Sequence, residues 1–143
     1  MDSRGTLAGD QVVPAVESPY RGLISSLSLA LGEGTGAGET ISWDMMTSLP
    51  LTEVTAIHLH DGFRGENGPV VYTVPEQIFG VSDTVFVQAS MDYDGSVPVA
   101  ELIELVRAGG AYVDVHTIRY PAGELRAQLT TVRFDDRSGY YCS

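Results

Sequence analysis

Cysteine is nearly absent. The 143 residues hold one, Cys142, beside the C-terminus. No intrachain disulfide can form, which excludes a small oxidised scaffold and leaves Cys142 as an incidental tail thiol. Basic residues are scarce as well, 8 against 19 acidic, for a net charge of −11. No basic cluster interrupts that field, so nucleic acid and anionic membrane surfaces are not expected partners. The same field attracts cations and keeps the surface solvated. No apolar run approaches the roughly 18 residues of a membrane span. Met1 to Asp10 lacks a charged-then-apolar leader, so the chain as written reads as cytoplasmic. It would be secreted or periplasmic if a leader had been removed.

What is present fits one domain, residues 1–143, with a core over about 5–132 and a tail from 135 to 143. An apolar fraction of 43% is ordinary for a globular chain. Short alternating stretches separated by turn residues predict an all-β domain. Tyr20 to Leu31 carries Leu23, Leu27, Leu29 and Leu31 at even spacing, read as one apolar face. A glycine-rich turn over 32–38 leads to Thr40 to Leu49, where Ile41, Trp43, Met45 and Thr47 alternate with polar positions. These two segments read as a hairpin. Further strands are expected over Val54 to His60, Val70 to Val74, Thr84 to Ala89, Tyr112 to Ile118 and Glu124 to Phe134. One segment breaks the period: Val99, Leu102, Ile103 and Val106 recur at helical spacing before Gly109-Gly110, predicting one short helix. The architecture expected is a Greek-key β-sandwich or barrel.

Histidine is the third scarcity, and the most informative. The chain has three, in Ala56-Ile57-His58-Leu59-His60 and Tyr112-Val113-Asp114-Val115-His116. Strand side chains alternate, so His58 and His60 share one face while Ile57 and Leu59 take the other. Tyr112, Asp114 and His116 share a face in the same way. Imidazoles concentrated on two strands have the composition of a three-histidine metal site. Asp114, two residues before His116, is placed to orient a ligating imidazole. Asp61 follows the pair at a strand end and is a weaker candidate for the same role.

Glu124 to Phe134 adds a cation. With Leu125, Ala127 and Leu129 inward, Arg126 faces the histidine side, one hairpin away from His116 through Pro121-Ala122-Gly123. A guanidinium beside a metal implies an anion between them, such as a carboxylate, an enolate or superoxide. Arg126 and Asp114 are therefore the candidate catalytic residues. Pairing of Arg126 with Glu124 or Asp114 is the structural alternative.

Two stretches carry a resemblance. His58-Leu59-His60-Asp61-Gly62, with Gly65 and Asn67-Gly68-Pro69-Val70-Val71, resembles the first signature of the chordin-type (CHRD) domain. Tyr112-Val113-Asp114-Val115-His116-Thr117 with Pro121-Ala122-Gly123-Glu124-Leu125-Arg126-Ala127-Gln128-Leu129 resembles the second. Leu7 to Pro14 resembles the family's first strand. CHRD domains in turn resemble copper-zinc superoxide dismutase. By that resemblance His58, His60 and His116 match copper ligands, and Arg126 matches the arginine that guides the anion. The bridging histidine, zinc loop and disulfide of the dismutase have no counterpart here. A mononuclear site is implied, with copper favoured and zinc possible.

Three functions compete. The first is a metal-dependent enzyme acting on a small molecule that carries an anionic group, an oxidoreductase or a cyclase/isomerase in a biosynthetic pathway. The second is a non-catalytic copper-binding protein with the same ligands. The third is an extracellular protein-interaction module, the role the domain has in chordin.

Overall fold

The computed structural model describes residues 1–32, 38–135 and 139–142. The described residues form two antiparallel sheets over a shared apolar core. The larger sheet contains β1 (Asp2–Leu7), β2 (Gly22–Ala30), β3 (Thr40–Pro50), β6 (Thr84–Asp92), β9 (Thr130–Asp135) and β10 (Gly139–Cys142). Its spatial order is β10-β9-β1-β2-β3-β6. The smaller sheet contains β4 (Val54–Asp61), β5 (Val70–Thr73), β7 (Ala111–Thr117) and β8 (Leu125–Gln128), in the order β5-β4-β7-β8. Connections pass between sheets after β3, β5, β6 and β8, as a sandwich requires. Between β6 and β7 lies helix α1 (Val99–Arg107), which buries Val99, Leu102, Ile103 and Val106. Gly109 supplies the left-handed turn that stops the helix, at φ 79°. No helix among the described residues is long and apolar enough to cross a membrane.

The core draws on both sheets because alternation turns one face of each inward. Ile41, Trp43 and Met45 of β3 meet Ile57 and Leu59 of β4 and Val113 and Val115 of β7 in one cluster. The expected hairpin of β2 and β3 is present. Its apolar face differs from the expected one, because Leu23 and Leu31 are exposed while Ile24, Leu27 and Leu29 are buried. The cause is a bulge: Ile24 pairs with Met45 and Ser26 with Asp44, leaving Ser25 without an opposite residue. One extra residue reverses parity, so Leu23 falls on the outer face. Leu31 lies beyond the end of β2.

Three other readings change. The strand expected over Glu124 to Phe134 is two strands in different sheets. The corner is Leu129, whose N–H bonds to Ala111 O of β7 just before Thr130 pairs with Arg4 of β1. The stretch read as a tail includes β10, which pairs with β9 from Gly139↔Asp135 to Cys142↔Val132. The first strand ends at Leu7, and Gly9–Gln11 is a single 3₁₀ turn. The glycine-rich turn falls largely outside the described residues.

Candidate metal centre

Strands β4 and β7 are adjacent and antiparallel, in the register His58↔Asp114, Ala56↔His116 and His60↔Tyr112. That register brings both polar faces together. His58, His60, Asp114 and His116 each offer one ligand atom, and these atoms all lie within 4.8 Å of one another. The three histidines therefore converge as the sequence predicts. The group is largely shielded: the side chains of His60 and Asp114 are 10% exposed and that of His116 is 14% exposed.

Two imidazoles are fixed from behind. His60 Nδ1 lies 2.8 Å from the carbonyl of Gly68, and His116 Nδ1 lies 2.8 Å from that of Pro121. A carbonyl only accepts, so each Nδ1 carries the proton and donates it. Each Nε2 is then left with a lone pair. Both lone pairs aim at the same atom, Asp114 Oδ1, at 2.9 Å. His58 Nδ1 closes the group, 3.3 Å from His116 Nε2. Acceptors facing acceptors at such distances require a positive charge between them. A proton or a divalent cation supplies it, and three nitrogens with one carboxylate oxygen are a fitting donor set for such a cation.

The charge balance bears this out. The hydrogen bond to Asp114 raises His116 above its ordinary pKa against the opposing effect of burial. Burial opposes ionisation of Asp114, but its contacts with His116 and His60 outweigh it and hold its carboxyl below the usual range. Burial, then the nearby His116, lowers His58. Within the cluster, proton affinity thus rises at His116 and falls at His58.

Asp114 differs from its expected role. Its spacing from His116 predicts a carboxylate orienting an imidazole from outside, but its Oδ1 sits among the nitrogens as a fourth candidate ligand. The orienting work falls to the Gly68 and Pro121 carbonyls. Main-chain groups have no sequence signature, which is why alternation alone could not find them. Gly68 also has to be a glycine, since a Cβ there would collide with the carbonyl of Asp61. Asp61 itself stays outside the group of four.

Arg126 also differs. It reaches the expected face, paired in register with Asp114, but it is only 2% exposed. It donates to Glu66 O at 2.7 Å, Phe63 O at 2.9 Å and Gln128 Oε1 at 3.1 Å. Its Cζ lies 3.5 Å from the centre of the Tyr112 ring. Tyr112 stacks in turn on His60, with ring centres 4.6 Å apart and planes within 3°. β4 and β8 flank β7 on opposite sides, so Tyr112 stands between Arg126 and His60. The guanidinium is spent on loop carbonyls and an aromatic face rather than held open to an anion. Neither Glu124 nor Asp114 pairs with it: Glu124 is fully buried and accepts from Ser18 and Thr117 hydroxyls.

The loop over 62–69 is thereby tied across the outer face of the small sheet. Arg126 holds its start and middle, Gln128 Nε2 holds Gly62 O at 2.8 Å, and Tyr112 accepts from Gly68 N–H at 3.0 Å. His60 depends on that loop for its Gly68 partner.

The sequence pattern of the CHRD domain family matches residues 4–129. The chain belongs to the CHRD domain family. The matched span of this CHRD domain contains all four residues of the cluster, the loop that covers them and Arg126. No curated protein and no solved structure matches the chain.

Proposed function

We propose that this CHRD domain holds one divalent metal per chain on His58, His60 and His116 with Asp114, and that it acts there on a small molecule. The observation that carries the reading is the pair of Nε2 lone pairs aimed at one carboxylate oxygen, with each opposite Nδ1 tied to a carbonyl. Copper stands ahead of zinc for two reasons. The resemblance to copper-zinc superoxide dismutase matches the three histidines to copper ligands, and nitrogen-rich sites favour Cu(II) in the divalent series. Copper would supply redox chemistry on oxygen or superoxide, whereas zinc would supply Lewis-acid chemistry on a carbonyl. The chain's own residues supply rigidity: Gly68 and Pro121 carbonyls fix two imidazoles, while Tyr112 and Arg126 brace the covering loop. Substrate contact is not assigned to Arg126.

A non-catalytic copper binder is the second reading, favoured by the position of Asp114. Three imidazoles leave a coordination position open, as catalytic sites do, whereas a fourth protein ligand closes a tetrahedral site. Water-proton relaxation of the Cu(II)-loaded protein separates the two. An open position exchanges water and speeds relaxation, and azide should suppress the effect. A loaded protein that leaves water relaxation unchanged is closed, and the enzyme reading then fails. Asp114→Asn should increase the enhancement if Asp114 competes for that position.

A further inference from the structure

A second polar site lies where the covering loop meets β1 and β2. A cleft of about 340 Å³ is lined by Arg4, Thr6, Gln11, Leu23, Arg64 and Gln128, among others. That volume is at the lower end for small-molecule sites. Both lining glutamines are held by hydrogen bonds. Gln11 Nε2 donates to Thr6 O at 2.7 Å, and its Oε1 accepts from Gln128 N–H at 3.1 Å. Gln128 Nε2 donates to Gly62 O and Gly109 O, both at 2.8 Å.

The arginines are different. No hydrogen bond or ion pair engages the Arg4 or Arg64 guanidinium among the described residues, whose ion pairs are His60 and His116 with Asp114 and Arg107 with Glu104. No acidic residue lines the cleft. In a chain with 19 acidic and 8 basic residues, this is a local reversal of charge. One wall is apolar: Leu23, turned outward by the β2 bulge, is 46% exposed. Two free guanidiniums match the oxygens of a carboxylate or phosphate, and an apolar wall matches a hydrocarbon body.

We propose that this cleft binds a small organic carboxylate, with its oxygens on Arg4 and Arg64 and its apolar body against Leu23. The site is independent of the metal reading, because none of its lining residues belongs to the histidine cluster.

The test is a titration of the isotope-labelled full chain with phenylacetate and, separately, inorganic phosphate, each to about 10 mM, which saturates sites of millimolar affinity or tighter. Phenylacetate should move the Arg4 and Arg64 Nε–H, Thr6 amide and Leu23 methyl signals. Arg4→Ala and Arg64→Ala should each weaken it by about tenfold or more, the loss of one charge-assisted contact. Both are surface changes, so melting temperature and metal content should hold, and a failure of the metal reading would leave these shifts intact. Phosphate moving the arginine signals but not Leu23 would support the oxyanion contact. Absence of shifts, shifts confined to His58 and His116, affinity unchanged in both variants, or phosphate binding without phenylacetate binding would each overturn the proposal.

Discussion

The two faces of the small sheet are built from the same strands and are both shielded along β7 and β8, yet by different means. On the inner face Ile57, Leu59, Val113, Val115, Leu125 and Ala127 are fully buried in hydrocarbon. On the outer face His60, Tyr112, Asp114, Arg126 and Gln128 are 2–7% exposed, and hydrogen bonds and ring stacks hold each of them. The inner face is held by non-directional burial, which tolerates changes of shape and forbids changes of volume. The outer face is held by directional partners, each of which must be present for the next to be oriented. Such a face fixes side-chain positions to the accuracy a metal requires.

The largest expected effect comes from the inner face. Leu59→Ala should destabilise the protein by about 2–5 kcal/mol through lost burial and a residual cavity. Denaturant unfolding would show it, and the surviving folded fraction should still bind metal at one per chain. Loss of metal affinity beyond the folded fraction would mean that the two faces are not separable.

Arg126→Ala should rank next, at about 2–4 kcal/mol, because it strands the Phe63 and Glu66 carbonyls and removes the guanidinium from Tyr112. Arg126→Lys should recover part of that stability, since an ammonium keeps the charge but not the planar fork. Both variants should loosen the 62–69 loop, seen as faster amide exchange at Gly68. A stable Arg126→Ala protein with ordinary exchange would break the account of the outer face.

Much of this contrast was legible in the sequence. Period-two alternation assigned Ile57, Leu59, Val113 and Val115 to one face and the histidines to the other, and helical spacing located α1. What alternation cannot carry is how well a face is covered. A strand pattern marks Tyr112, Asp114 and Arg126 as pointing away from the core, but only the loop returning from β4 to β5 shows that they are buried there. Parity itself failed where Ser25 adds a residue to β2, and the β8–β9 corner at Leu129 was invisible because Glu124 to Phe134 reads as one unbroken strand. The role of Asp114 turned on the register His58↔Asp114, a pairing between strands far apart in the chain.

A smaller effect concerns pH in metal-free protein. His116 titrates above its ordinary 6.5 because of Asp114, so their contact stabilises the fold below about 6.5 and is lost as pH rises through the raised value. Asp114 titrates below its ordinary 3.8, so its contribution is present above that value and is lost as pH falls through the lowered one. The stability gap between wild type and Asp114→Asn should therefore be widest between about pH 4 and 6.5 and should narrow at higher pH. Thermal melts across that range in the presence of a chelator would measure it. A gap that widens above pH 7 would contradict the protonation pattern drawn from the Nδ1 contacts.

The most direct test of the metal centre is calorimetric titration of the chelator-treated, untagged chain with Cu(II), alongside a variant with His58, His60 and His116 all changed to Ala. Binding at one ion per chain in the wild type, weakening as pH falls below about 6.5 as the imidazoles protonate and absent from the triple variant, is the predicted result. Equal binding by the triple variant, or affinity that is flat between about pH 5 and 8, would place any metal on carboxylates elsewhere and contradict the account.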